Sequence, residues 1–130
     1  MVYKVLDELL YSKTHEWIRI IDDEGIVGIT DYAQQKLGDV VFVELPSKGD
    51  KVKKDEKVCE IESVKTVAEV YTPVSGEIID VNEKLLDSPE LINTSPYEQG
   101  WIFKIRISNK DELNELLGSK DYMELIKHED

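Results

Sequence analysis

Between Val40 and Val81 the chain is a succession of short β-branched runs cut by turn residues, a pattern that makes the middle of the chain β. Val40 to Leu45 is stopped by Pro46, and further strands are expected around Val52, over Val58–Val64, over Val67–Tyr71 and over Glu77–Val81. Two of the turns echo each other. Pro46-Ser47-Lys48-Gly49 and Pro73-Val74-Ser75-Gly76 each follow a strand and lead through a charged residue into apolar positions. Proline fixes φ and glycine supplies a conformation that a Cβ would forbid, so each reads as a turn. The echo implies two copies of one small unit or a chance likeness of two turns.

The flanks are mixed. Trp17 to Ile29 reads as a hairpin closed by the acidic turn Asp22-Asp23-Glu24-Gly25. Thr30 can cap a short helix over Asp31–Leu37, which Gly38 can end. Trp101 to Ile107 alternates charged and apolar residues and fits a last strand. Ser108 with Asp111 resembles a capping box opening a helix through Leu117, and Ser119 can cap another over Asp121–Lys127. From Asp87 to Gly100 the density of Pro, Ser, Asn and Gly predicts an ordered surface loop. With no linker composition anywhere, 1–130 is expected to be a single domain, with a hairpin over about 58–72 and C-terminal helices over about 109–127.

Charge narrows the function classes. The 130 residues hold 16 Lys and Arg against 28 Asp and Glu, a formal net charge of −12, so the surface field repels phosphate backbones and anionic lipid. Nucleic acid and membranes are therefore poor partners, and basic docking faces are better ones. Cys59 is the sole cysteine, which excludes an intrachain disulfide, and it reads as a small, partly buried hydrophobe. The first residues lack signal-peptide character, and a cytoplasmic location is the default expectation. His15 and His128 have no metal-ligand spacing, and neither a GxSxG nor a phosphate-binding glycine loop occurs, so no catalytic site or metal is expected.

Lys65 lies between the echoed turns, 16 residues after Gly49 and 11 before Gly76. Strand-like sequence on both sides puts Val64 and Lys65 at the apex of a tight hairpin, with Lys65 in solvent. The turn chemistry is odd, because a two-residue hairpin loop favours Asn-Gly or a similar pair with φ above zero. A functional constraint such as an attachment site is one reason for a local rule to be overridden.

THEW at 14 to 17, GITDYAQQKLGDVVFVELP from Gly28 to Pro46, ESVKT at 62 to 66, PVSGEI at 73 to 78 and ELINTSPYEQGW from Glu90 to Trp101 follow one another in the order and spacing of one family. Over nearly its full length the sequence resembles the glycine cleavage H proteins. The resemblance implies a mainly β fold, a barrel-sandwich hybrid of two small antiparallel sheets with a short internal helix and C-terminal helices. It implies lipoic acid in amide linkage to Lys65, and a non-catalytic carrier of the aminomethyl group of glycine. The implied partners are a glycine decarboxylase (P protein), an aminomethyltransferase (T protein), a dihydrolipoyl dehydrogenase (L protein) and a lipoate-attaching enzyme, met by a monomer.

By the same resemblance Thr14, Glu16 and Glu69 form a cleft that accepts the cargo's ammonium group. Some members carry Ser where Thr14 stands, Asp where Glu69 stands and His where Lys36 stands. Three rivals compete with this reading. Biotin carriers flank their lysine with methionines, whereas Val64 and Thr66 stand here. Lipoyl domains of 2-oxo acid dehydrogenases show Asp before the lysine and belong to long chains with linkers. An H-like protein that mainly relays lipoate to other proteins would share all the motifs above.

Overall fold

The computed structural model describes residues 2–129; the expected domain span also takes in Met1 and Asp130, which lie outside them. In chain order the strands are β1 (Leu10–Tyr11), β2 (Glu16–Ile21), β3 (Glu24–Ile29), β4 (Val40–Glu44), β5 (Lys51–Val52), β6 (Lys57–Ser63), β7 (Val67–Tyr71), β8 (Gly76–Val81) and β9 (Phe103–Ile107). They build a six-stranded sheet in the order β1-β2-β3-β9-β8-β5 and a three-stranded sheet in the order β4-β6-β7. Every pairing between named strands is antiparallel. The expected mainly β fold of two antiparallel sheets is what forms; the sheets are open, and the larger takes twice as many strands as the smaller.

Alternation explains which sides meet. Cys59, Ile61 and Val70 of the small sheet pack in one core with Ile18, Val27, Ile78, Phe103 and Ile105 of the large one. Burial of apolar surface on this scale is the main favourable term in folding. A second cluster is aromatic: Tyr11, Trp17, Tyr32, Tyr97 and Tyr122 join Leu9 and Ile126. Trp17 lies flat over Gly28, where a Cβ would come within 2.8 Å of the indole, so this position admits only glycine.

The echoed turns meet one another. β5 follows the first and β8 begins in the second, and the two strands pair Lys51 with Glu77 and Val52 with Gly76. Their glycines nevertheless do different jobs. Gly49 has φ 91°, a turn conformation, whereas Gly76 is there for space, since a Cβ would sit 2.0 Å from the Arg106 carbonyl oxygen.

α1 (Asp31–Leu37) begins with the Thr30 side chain accepting from the Ala33 N–H at 3.2 Å and ends at Gly38 with φ 85°. A one-turn helix, α2 (Lys84–Asp87), ends where the expected loop begins, and that stretch itself carries another, α3 (Leu91–Thr94); Leu85 and Ile92 are each drawn fully into the core. The helix expected from Ser108 to Leu117 is a 3-10 helix over Lys110–Glu115, capped by Asn109 and not by Ser108. The Ser108 N–H is engaged by the Ser75 carbonyl, and Leu117 leaves the helix to exchange two backbone hydrogen bonds with Tyr11. α4 runs Ser119–Glu129; Ser119 is its first residue, and its hydroxyl donates to Asp7. Among the described residues no helix is long and apolar enough to cross a membrane.

Candidate functional site

The β6–β7 hairpin turns through Val64 and Lys65 without positive φ at either residue. Ser63 makes this possible. Its hydroxyl oxygen accepts from the N–H groups of Lys65 (3.2 Å) and Thr66 (3.1 Å), and its own N–H donates to the Thr66 carbonyl at 2.8 Å. Short hydroxyl side chains close turns in this way, which is why an Asn-Gly pair is dispensable here. The Val64 N–H donates to the Asp39 carbonyl at 3.0 Å, tying the apex to the residue after Gly38. Lys65 is exposed, and its stem passes over Gly38: a Cβ at Gly38 would lie 3.2 Å from Lys65 Cε.

Beside this apex, walled by α1 on one side and β7 on the other, lies a cleft of about 380 Å³ whose lining includes Thr14, Glu16, Lys36, Thr66, Glu69 and Glu129. The three residues expected to form a cleft together, Thr14, Glu16 and Glu69, do line one, and Thr66 beside Lys65 lines it too. Their environments differ. Glu69 is exposed and already occupied: it accepts from the Tyr71 hydroxyl at 2.8 Å and pairs with Lys57 at 3.4 Å, contacts that hold its carboxyl below the usual range. Glu16 is 1% exposed.

The position of Glu16 follows from the turn between β1 and β2. Ser12 N–H donates to the Glu16 carbonyl at 2.9 Å, and His15 closes the turn at φ 73°, a region His tolerates better than most side chains. His15 is clamped there by stacking on Tyr32 (4.8 Å between centroids) and by hydrogen bonds of 2.9 Å with the Tyr122 hydroxyl and with Glu129. The Glu16 side chain then points between the sheets. Its Oε1 accepts from the hydroxyls of Ser12 (2.6 Å) and Thr14, and its Oε2 accepts from the Tyr71 N–H at 3.1 Å. β7 is an edge of the small sheet, so this last bond gives an edge N–H a partner and stitches one sheet to the other.

Burial pushes the Glu16 carboxyl up to about 7, against the lowering effect of those three donors. All three donors are neutral. The carboxylate is thus solvated by dipoles, with its negative charge left for a cation to complement. Cys59, also 1% exposed, has its thiol pushed up to about 12 by burial and the surrounding carboxylates, which suits the inert core residue expected of it.

Ser12, the Tyr71 N–H and the pairing of His15 with Glu129 carry no signal in the sequence. Ser12 lies in the same turn as Thr14, but a hydroxyl in a turn is commonplace. Glu129 reaches the cleft only because α4 packs Tyr122 on Tyr11, with ring centroids 4.5 Å apart. On its outer face the small sheet carries two cross-strand rows beside Lys65, Phe42–Glu62–Val67 and Glu44–Glu60–Glu69, the first with a half-exposed aromatic and the second all acidic.

The family described as Glycine cleavage H-protein matches residues 9–129. A probable glycine cleavage system H protein of Pyrococcus furiosus is 54% identical over 127 residues, covering 96% of this chain and 94% of that protein. The glycine cleavage system H protein of Staphylococcus epidermidis is 52% identical over 122 residues, with 94% and 97% covered. Among solved structures, a glycine cleavage system H protein from Mycobacterium marinum matches with a TM-score of 0.86 at 37% identity, over 92% of this chain and 97% of that one. In sequence and in fold the chain matches these proteins over most of its length, and it belongs to the glycine cleavage H-protein family.

Proposed function

We propose that Lys65 is the attachment point for lipoic acid, joined through an amide to Nζ, and that the chain carries the aminomethyl group of glycine from the glycine decarboxylase to the aminomethyltransferase. The dithiol is then presented to the dihydrolipoyl dehydrogenase. The protein is a carrier, and the chemistry of each step belongs to a partner or to the arm. When bound, lipoate supplies a sulfur that can hold the one-carbon unit and a dithiol that can be reoxidised.

The residues fit such a group. Lys65 stands in solvent on an apex held by Ser63 and Asp39, so a modifying enzyme meets an amine with a fixed base and a free end. Gly38 leaves the lysine stem room against the end of α1. The single observation that carries the reading is the pairing of this tether with a cleft whose buried carboxyl has, among the described residues, only neutral donors. A primary ammonium at the loaded end of the arm is the complement of Glu16, and a charge-assisted hydrogen bond in a sheltered site would hold it away from water. Glu69, already engaged by Lys57, is a rim residue that tunes the cleft's charge. The acidic row Glu44–Glu60–Glu69 on the outer face favours partners with basic docking faces.

The test is reconstitution of glycine decarboxylation with purified P, T and L proteins. Lipoylated wild-type chain is expected to support turnover and the Lys65→Arg chain none. Turnover sustained by the arginine variant would overturn the assignment.

A further inference from the structure

The hydrogen bonds of Glu16 come from two sides. Thr14 lines both the cleft and a second cavity of about 430 Å³ behind it; Ser12 lines this rear cavity and Glu16 lines the cleft. Ser12 is 5% exposed, and its hydroxyl makes a closed loop with Glu16: it accepts from the Glu16 N–H at 3.0 Å and donates to Glu16 Oε1 at 2.6 Å. It also lies 3.2 Å from the Thr14 hydroxyl. One buried hydroxyl therefore ties the carboxylate to its own backbone and aims it into the cleft.

We infer that Ser12 is a positioning residue of the cargo site, holding the Glu16 carboxyl in the cleft-facing orientation that an ammonium cargo needs. This deepens the reading of Glu16 under the proposed function and rests on it. A hydrogen bond donated to a carboxylate favours its charged form, so removing the Ser12 hydroxyl should shift Glu16 toward the neutral acid and loosen its aim. Other charged and titratable groups face the same region. Lys36 of α1, Glu69 and Tyr71 of β7, Glu129 of α4, His15 beside it and Cys59 of β6 stand on the cleft and core side. Lys13, Lys54, Asp55 and Glu115 line the rear cavity. Of all these side chains, none hydrogen-bonds to the Glu16 carboxylate, which leaves Ser12 and Thr14 as its side-chain donors.

The experiment uses the full lipoylated chain loaded with aminomethyl. Hydrolysis of the loaded arm is timed in wild type, Ser12→Ala, Ser12→Cys and Ser12→Thr, and the Glu16 carboxyl is titrated by carbon NMR in each. Alanine and cysteine should shorten the lifetime by roughly tenfold, the scale of one hydrogen bond to a charged group, and raise the Glu16 midpoint. Threonine, which keeps the hydroxyl, should restore both. An unchanged lifetime or midpoint in Ser12→Cys, which preserves shape better than alanine, overturns the inference, as does a threonine variant that folds yet behaves like cysteine. Glu16→Ala is run in parallel: if it leaves the lifetime at the wild-type value, the cargo reading of the cleft fails. The midpoint in the serine variants still reports whether Ser12 acts on Glu16.

Discussion

The two key residues of this molecule occupy opposite environments. Lys65 stands in solvent at the end of a hairpin, and everything specific about it lies in the backbone below: the Ser63 hydroxyl, the Asp39 carbonyl, the room above Gly38. Glu16 is 1% exposed, and everything specific about it lies at the carboxylate itself. In the function proposed above, a tether must be presented, so its side chain is left alone. A holder must be aimed and kept dry, which makes it a buried carboxyl whose charged form has an energetic cost. The difference teaches that stability in this fold is given up at Glu16 and not at Lys65.

That contrast can be broken most sharply through pH. The Glu16 carboxyl sits at about 7 in the folded protein against an ordinary value of 4.5, so between those values the native state binds more protons than the unfolded chain. Its contribution to stability therefore falls as pH rises through that window, and the full cost is felt above it. Denaturation of Glu16→Gln and wild type should show a relative gain for the variant that is about 3 kcal/mol larger at pH 8 than at pH 4. A difference independent of pH would mean that the buried carboxylate is not strained.

Function should move the other way. Glu16→Ala is expected to leave lipoylation intact but to speed hydrolysis of the aminomethyl-loaded arm by about tenfold or more, since a hydrogen bond to a charged group contributes roughly 1.5–3 kcal/mol. A loaded form that decays at the wild-type rate would remove Glu16 from the cargo site.

On the tether side, Gly38→Ala should cost about 1–3 kcal/mol, because φ 85° with ψ −167° is a region open essentially to glycine. Lipoylation of Lys65 should continue, since the nearest atom is the flexible lysine stem, which can move aside. Loss of modification in a folded Gly38→Ala chain would make Gly38 part of the recognition surface. The smallest effect concerns docking. With a net charge of −12 and an acidic row on the sheet that bears Lys65's hairpin, affinity for the P protein should weaken several-fold as the Debye length falls from about 10 Å at 0.1 M salt to about 3 Å at 1 M. Salt-independent binding would assign docking to Phe42 and its apolar neighbours instead.

Much of the scaffold was legible in the sequence because its signals are local. β-branched runs between turn residues marked the strands, and Thr30 and Gly38 marked both ends of α1. Lys65 was legible as an apex for the same reason, whereas the attachment proposed for it comes from resemblance and has no local signal of its own. Signals failed where tertiary contacts compete with local ones. A capping pattern at Ser108 lost to the Ser75 carbonyl, and the helix after it stopped short because Leu117 pairs with Tyr11. A polar loop concealed α3, whose reason for forming is one buried residue, Ile92. At the cleft, Thr14 and Glu16 came from one recognisable block, but their surroundings come from afar: Tyr71 lies 55 positions from Glu16, and Glu129 lies 114 positions from His15. No periodicity encodes such contacts.

The division between a presented tether and a buried holder is tested most directly by the mass of the modified protein. After co-expression with a lipoate-attaching system, the intact wild-type chain and the Glu16→Ala chain should each gain one lipoyl mass, mapped by peptide analysis to Lys65, and Lys65→Arg should gain none. A lipoyl group on any other lysine, or on the Lys65→Arg chain, would contradict the account.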